Sequence, residues 1–139
     1  MRKRNPEKLT KQQLVKHLPK LTKIAQKLYD EWNQDEEGYD EVLGTGGICD
    51  EMAEKFCDYI IRTMKYDAFS YYDEYSTHTY CIVYDDNAAY ILDLPADVYE
   101  KGYLYTWKKI KNVIIKESDF EIIKVKRSDF IDENEEPYA

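Results

Sequence analysis

The chain is short of the residues that staple small folds or hold metals. Its three cysteines, Cys49, Cys57 and Cys81, are an odd number with no C-x-x-C pair, so neither a disulfide framework nor a zinc knuckle is indicated. Histidine is scarcer still, with only His17 and His78. No run approaches the ~20 apolar residues that a membrane span needs. The basic start "MRKRNPEKLT" leads into no apolar stretch of the kind a secretory leader requires. A cytoplasmic protein with no membrane partner is the expectation. Positive charge is also in deficit: 20 Lys plus Arg stand against 28 Asp plus Glu, a net charge of −8 that opposes binding to a phosphate backbone. Nucleic acid is therefore not expected as a partner.

What is present is apolar material in two textures. With 139 residues and 43% hydrophobic content, one domain can bury roughly two-thirds of the unfolded surface. Leu14, Leu18, Leu21, Ala25, Leu28 and Trp32 recur at the three- and four-residue spacing of one helix face. This predicts a helical arm over residues 1–33, with Lys16, Lys20, Lys23 and Lys27 on its solvated side. Thr10 followed by Gln13 resembles a capping box, and Pro19 should kink the helix or split it in two. "NQDEEGYDE", residues 33–41, loses the period and reads as a solvated acidic loop. Helical spacing returns in Met52, Phe56, Ile60 and Met64.

From Ala68 the texture changes to short aromatic and β-branched runs: "AFSYYDEY", "THTYCIVY", "AAYILDL", "NVIIKE" and "FEIIKVK". These predict a sheet, with "YDDNAAY" as a hairpin turn. The echo "SDF" at Ser118 and Ser128 is too short to be a repeat. Residues 132–139 read as a flexible acidic tail.

The stretch "LGTGGICDEMAEKFCDYI" carries the chemistry, because it places Cys49 in the first turn of the central helix. There the helix dipole and the amides of the backbone turn at Gly47 and Ile48 can stabilise a thiolate and hold an oxyanion. Asp50 and Glu51 add opposing charge in the same turn, so a base is needed. His78 opens the strand "HTYCIVY", and Asp93 follows across the hairpin. If the loop between them has an even number of residues, Tyr80 lies opposite Asp93 and His78 lies diagonal to it on the same face. An odd loop would separate them. Cys57, among apolar neighbours, and Cys81, alternating with Thr79 and Val83 away from His78, are expected in the core.

"GGICDEMA", "HTYCIVY" and "YILDLP" resemble the transglutaminase-like branch of the papain-like cysteine enzymes, whose core reads Gly-x-Cys-x-x-x-Ala, His-x-aromatic and Asp-x-Pro. The resemblance spans Leu43 to Pro95. "DEEGYDEVLGTGGICDEMA" and "VYEKGYLYTWKKI" are also similar to small bacterial and phage proteins. It implies Cys49 as nucleophile, His78 as base and later acid, and Asp93 as the orienting residue. Tyr80 stands where larger members have Trp. Leu43 stands where papain-like proteases have a glutamine donor to the oxyanion. Trp32 and Gln34 are candidates for that donor, although Trp32 also completes its helix's apolar face. Tyr80, Tyr105 and Trp107 are candidates to line a substrate groove, and "GYLYTWKKI" fits a core-capping strand equally well.

The expected architecture is an α+β domain with a papain-like, transglutaminase-like core over residues 43–131, its central helix packed on an antiparallel sheet. The expected function is thiol-dependent acyl transfer on an amide or isopeptide bond of a protein or peptide, without metal or organic cofactor. Hydrolysis ranks first, since a small exposed site has little means of excluding water. The rival class is a binding protein on the same fold, such as a phage-type antagonist using an acidic, tyrosine-rich surface. An acidic DNA mimic is a third reading.

Overall fold

The computed structural model describes residues 3–34, 47–100 and 113–132. Within them, helices pack against a four-stranded antiparallel sheet of order β1-β2-β3-β4, an α+β arrangement. The strands are β1 (Asp67–Asp73), β2 (His78–Tyr84), β3 (Ala89–Asp93) and β4 (Glu121–Val125). The helices are α1 (Lys11–Lys16), α2 (Leu18–Gln34), α3 (Gly47–Tyr59) and α4 (Ala96–Glu100).

Local chemistry explains the helical arm. Thr10 caps α1 by accepting from the Gln13 amide, while the Gln13 side chain turns to Glu7 rather than completing a reciprocal box. The chain breaks at His17, and Pro19 falls in the first turn of α2, where a missing N–H costs least. Leu14, Leu18, Leu21 and Ala25 are buried as their spacing predicts, and the four lysines are exposed. Beyond Ala25 the buried stripe passes to Tyr29, which is fully buried, while Leu28 is only partly so. A straight helix with 3.6 residues per turn drifts in this way past a strict three-four pattern.

Helix α3 lies between α2 and the sheet. Met52, Phe56, Cys57 and Ile60 join Leu21, Tyr29, Cys81, Val83 and Leu92 in one apolar cluster, and Phe56 meets Phe120 at a ring separation of 5.5 Å. The helix widens into a π-helical turn, Ile60–Met64, and ends at Lys65 in the left-handed conformation. A smaller cluster of Ile82, Tyr84, Ala89 and Ile131 fills the opposite face of the sheet.

The run "NVIIKE" departs from the expected strand. Val113–Lys116 form no ladder; instead the Gln26 side chain of α2 donates to the Val113 carbonyl and accepts from the Ile115 amide. One glutamine thus satisfies the backbone that a strand would have satisfied, while Val113 and Ile115 stay buried. The two "SDF" echoes share a local shape, since Glu117–Asp119 and Arg127–Asp129 are both 3-10 turns. They deliver Phe120 to the helix side of the sheet and Phe130 to the other.

The β2–β3 hairpin turns through Asp86 and Asn87, with the Asp85 amide donating to the Ala88 carbonyl at 3.0 Å. The Asp85 carboxylate accepts from the Asn87 and Ala88 amides and, at 2.7 Å, from the Leu9 amide of the arm. Its carbonyl accepts from the Arg127 guanidinium near the described C-terminal end. Replacing Asp85 with Ala leaves three amides without their acceptor and should cost about 2 kcal/mol in urea unfolding, on the scale of hydrogen bonds to charged groups. Asp85→Asn, which keeps the Oδ1 acceptor, should lose less. Equal losses would show that the carboxylate does not clamp the turn.

Candidate active site

The hairpin register decides which side chains can meet. Cys81 pairs with Leu92 and Tyr84 with Ala89, so continuing the ladder by one residue sets Tyr80 opposite Asp93 and His78 diagonal to it. This is the even-loop arrangement, and Asp93 uses it: His78 Nε2 lies 2.7 Å from Asp93 Oδ1. Side-chain exposures of 14% for His78 and 12% for Asp93 keep this pair largely out of water.

Helix α3 supplies the third group. Cys49 is its third residue, and its Sγ lies 3.2 Å from His78 Nδ1. The imidazole therefore spans the sulfur and the carboxylate with its two nitrogens. They are used in the opposite sense from the Ser-His-Asp template, where Nε2 faces the nucleophile. The next residue in each element also meets, because the Thr79 hydroxyl donates to the Asp50 carboxylate. That contact gives Asp50 a partner on β2, which proximity in sequence to Cys49 did not foretell. Just before His78, Thr77 has a φ of 52°. This left-handed conformation costs roughly 1–2 kcal/mol for an L-residue, and it turns the chain into β2.

Electrostatics follow from these contacts. His78 is pushed up to about 10, first by its hydrogen bond to Asp93 and then by that to Cys49, with burial working against both. An unfolded imidazole titrates near 6.5. The fold thus favours the protonated ring. The stability it contributes is fully present below about pH 6.5 and is lost as pH rises through about 10.

Gly47 begins α3, and Ile48 is a buried core side chain whose amide belongs to the first turn. The first amides of a helix have no intrahelical acceptor. Tyr80 stands beside His78, with ring centroids 6.4 Å apart. Trp32 and Gln34 have their backbone in the last turn of α2, and their side chains lie outside the described set. Asn33 and Gln34, expected in the acidic loop, are instead the last residues of α2, while the loop from residue 35, Tyr105, Trp107 and the tail beyond residue 132 lie outside the described residues.

Cys49 is only 5% exposed, so the expectation of an open site is corrected. Met52, Ala53, Phe56, Leu92 and Leu94 close in around the three polar groups. The second histidine takes no part, because His17 caps α1 and bonds the Tyr59 hydroxyl at 2.7 Å. Cys57 and Cys81 are core residues as expected. Their sulfurs lie 3.1 Å apart without a disulfide, a contact between α3 and β2 that spacing did not reveal. Burial, followed by the contact with Cys57, pushes the Cys81 thiol well up. Among the described residues, no cluster of three or more His, Cys, Asp or Glu could hold a metal ion, and no helix is long and apolar enough to cross a membrane.

Asp93→Asn removes the main cause of the raised His78 value, so the ring should titrate more than about one pH unit lower, equivalent to about 1.4 kcal/mol. Histidine ring NMR across pH 5–11 would show it, and an unmoved midpoint would remove Asp93 from the site's electrostatics. No family model, curated protein or solved structure matches this chain, so the case for chemistry at Cys49, His78 and Asp93 rests on their own geometry.

Proposed function

We propose that the protein is a thiol-dependent acyl-transfer enzyme, in the first place a hydrolase of an amide or isopeptide bond in a protein or peptide. In this reading the fold is a small version of the transglutaminase-like, papain-like architecture. The observation that carries the proposal is the bridging of Cys49 and Asp93 by one imidazole, at 3.2 Å and 2.7 Å, although the three groups come from three different elements. Each residue alone has an ordinary structural role; together they have the order and contacts of nucleophile, base and orienting carboxylate.

The proposed resting pair is a Cys49 thiolate and a His78 imidazolium. The sulfur attacks the substrate carbonyl carbon, and the carbonyl π electrons move onto oxygen. In this reading the first-turn amides of α3, at Ile48 and Cys49, receive that charge. Collapse of the adduct breaks the C–N bond, and His78 gives its proton to the departing amine. Water then adds to the thioester as His78 accepts a proton, and the carboxylic acid and the thiolate are released. Asp93 holds the ring throughout.

The test is the rate of Cys49 alkylation by iodoacetamide against pH, read by peptide mass spectrometry. The wild type should react well below the reference thiol value of about 8.5, and His78→Ala should lose at least tenfold of that rate at pH 6. An ordinary thiol profile unchanged in His78→Ala would defeat the catalytic reading and leave the binding-protein class. Partner capture that survives Cys49→Ala would then be the expected behaviour.

A further inference from the structure

The sheet face that carries His78 has a distinctive composition. Paired positions place Asp73 opposite His78, Tyr71 opposite Tyr80, and Glu121 opposite Asp93 on the same face. Ile82, Tyr84, Ile91 and Val125 fill the lower rows. Among the described strand positions on this face, His78 is the one basic side chain, while Asp67, Asp73, Asp93 and Glu121 are all carboxylates.

The upper rows also form an aromatic platform. The Tyr71 and Tyr80 rings lie 5.6 Å apart and 30° from parallel. Phe130 meets Tyr71 edge-on at 5.0 Å and 78°, which fixes the ring from behind. Tyr71 is 37% exposed, and Tyr80 is half-buried between it and His78. Burial first, and then the nearby Asp73 and Asp93 carboxylates, raise Tyr80.

Resting on the acyl-transfer reading, the geometry points to a subsite for a cationic side chain, lysine or arginine, on the substrate residue that supplies the scissile carbonyl. The cation lies over the Tyr71–Tyr80 faces with Asp73 as its counter-ion. Aromatic faces attract cations through their quadrupole, and the carboxylates around them supply complementary charge. An aliphatic or aromatic substrate side chain would use the rings and gain nothing from Asp73. An anionic one would be repelled by Asp73 and Glu121, since Asp93 is paired with His78. His78 links the nucleophile and the platform, with Nδ1 3.2 Å from Cys49 Sγ and its ring 6.4 Å from that of Tyr80.

The experiment compares Cys49 alkylation by three chloromethyl ketones, derived from lysine, leucine and glutamate, in wild type, Tyr80→Leu and Asp73→Asn. Asparagine keeps the oxygen that accepts from the Tyr75 amide, so the turn is preserved. The lysine reagent should react at least tenfold faster than the glutamate reagent in the wild type. That ratio should fall at least threefold in each variant and also fall with added salt. Equal rates for the three reagents, or a ratio that neither variant changes, would overturn the subsite. The ratio is readable whatever the absolute rate, because these reagents also alkylate ordinary thiols. Slow alkylation with a strong charge ratio would therefore defeat the acyl-transfer reading alone, and fast alkylation with a flat ratio would defeat the subsite alone.

Discussion

The register of the β2–β3 hairpin is the constraint on which the site depends. Side chains alternate along a strand, so a slip of one residue would carry Asp93 to the opposite face from His78. The turn at Asp86 and Asn87 sets that register, and the Asp85 carboxylate holds it through the Asn87 and Ala88 amides. The same carboxylate takes the Leu9 amide, and the Asp85 carbonyl takes Arg127. The arm, the hairpin and the segment after β4 are thus joined where the pairing is decided.

The second requirement is that α3 present its first turn at the start of β2. Its inner face meets Cys81, Val83 and Leu92 of the sheet and the buried stripe of α2 on its other side. Two polar contacts, Cys49 with His78 and Asp50 with Thr79, fix the axial position at one end. The Cys57–Cys81 contact fixes it about two turns further along. Packing of this density gives the helix few alternative seats, since core side chains interlock like those in a crystal.

Much of this was legible in the sequence because it rests on local signals. The three- and four-residue spacing revealed the arm and α3, aromatic and β-branched runs revealed all four described strands, and the Asp-Asn turn revealed the hairpin while leaving its parity open. The candidate site was legible because glycine, cysteine, histidine and aspartate stood in a recognisable order. What escaped is non-local. Nothing near Val113 announces that Gln26, 87 residues away, will satisfy its backbone. The move from Leu28 to Tyr29 depends on how α2 sits against its neighbours. The closure over Cys49 depends on Met52 and Phe56 of α3 meeting Leu92 of β3 and Leu94 just beyond it. Likewise, "SDF" is too brief for repeat detection yet long enough to specify a 3-10 turn twice.

The imidazole's two bonds belong to different mechanical classes. Its link to Asp93 lies inside a single hairpin, just beyond a ladder that runs from Tyr84 with Ala89 to Cys81 with Leu92. Its link to Cys49 crosses the boundary between helix and sheet, where side chains alone, with no backbone ladder, hold the spacing. A small axial shear of α3 would lengthen the sulfur–nitrogen gap while leaving the histidine–aspartate unit unchanged. The stiff half of the site is therefore the acid–base pair, and its adjustable joint is the nucleophile.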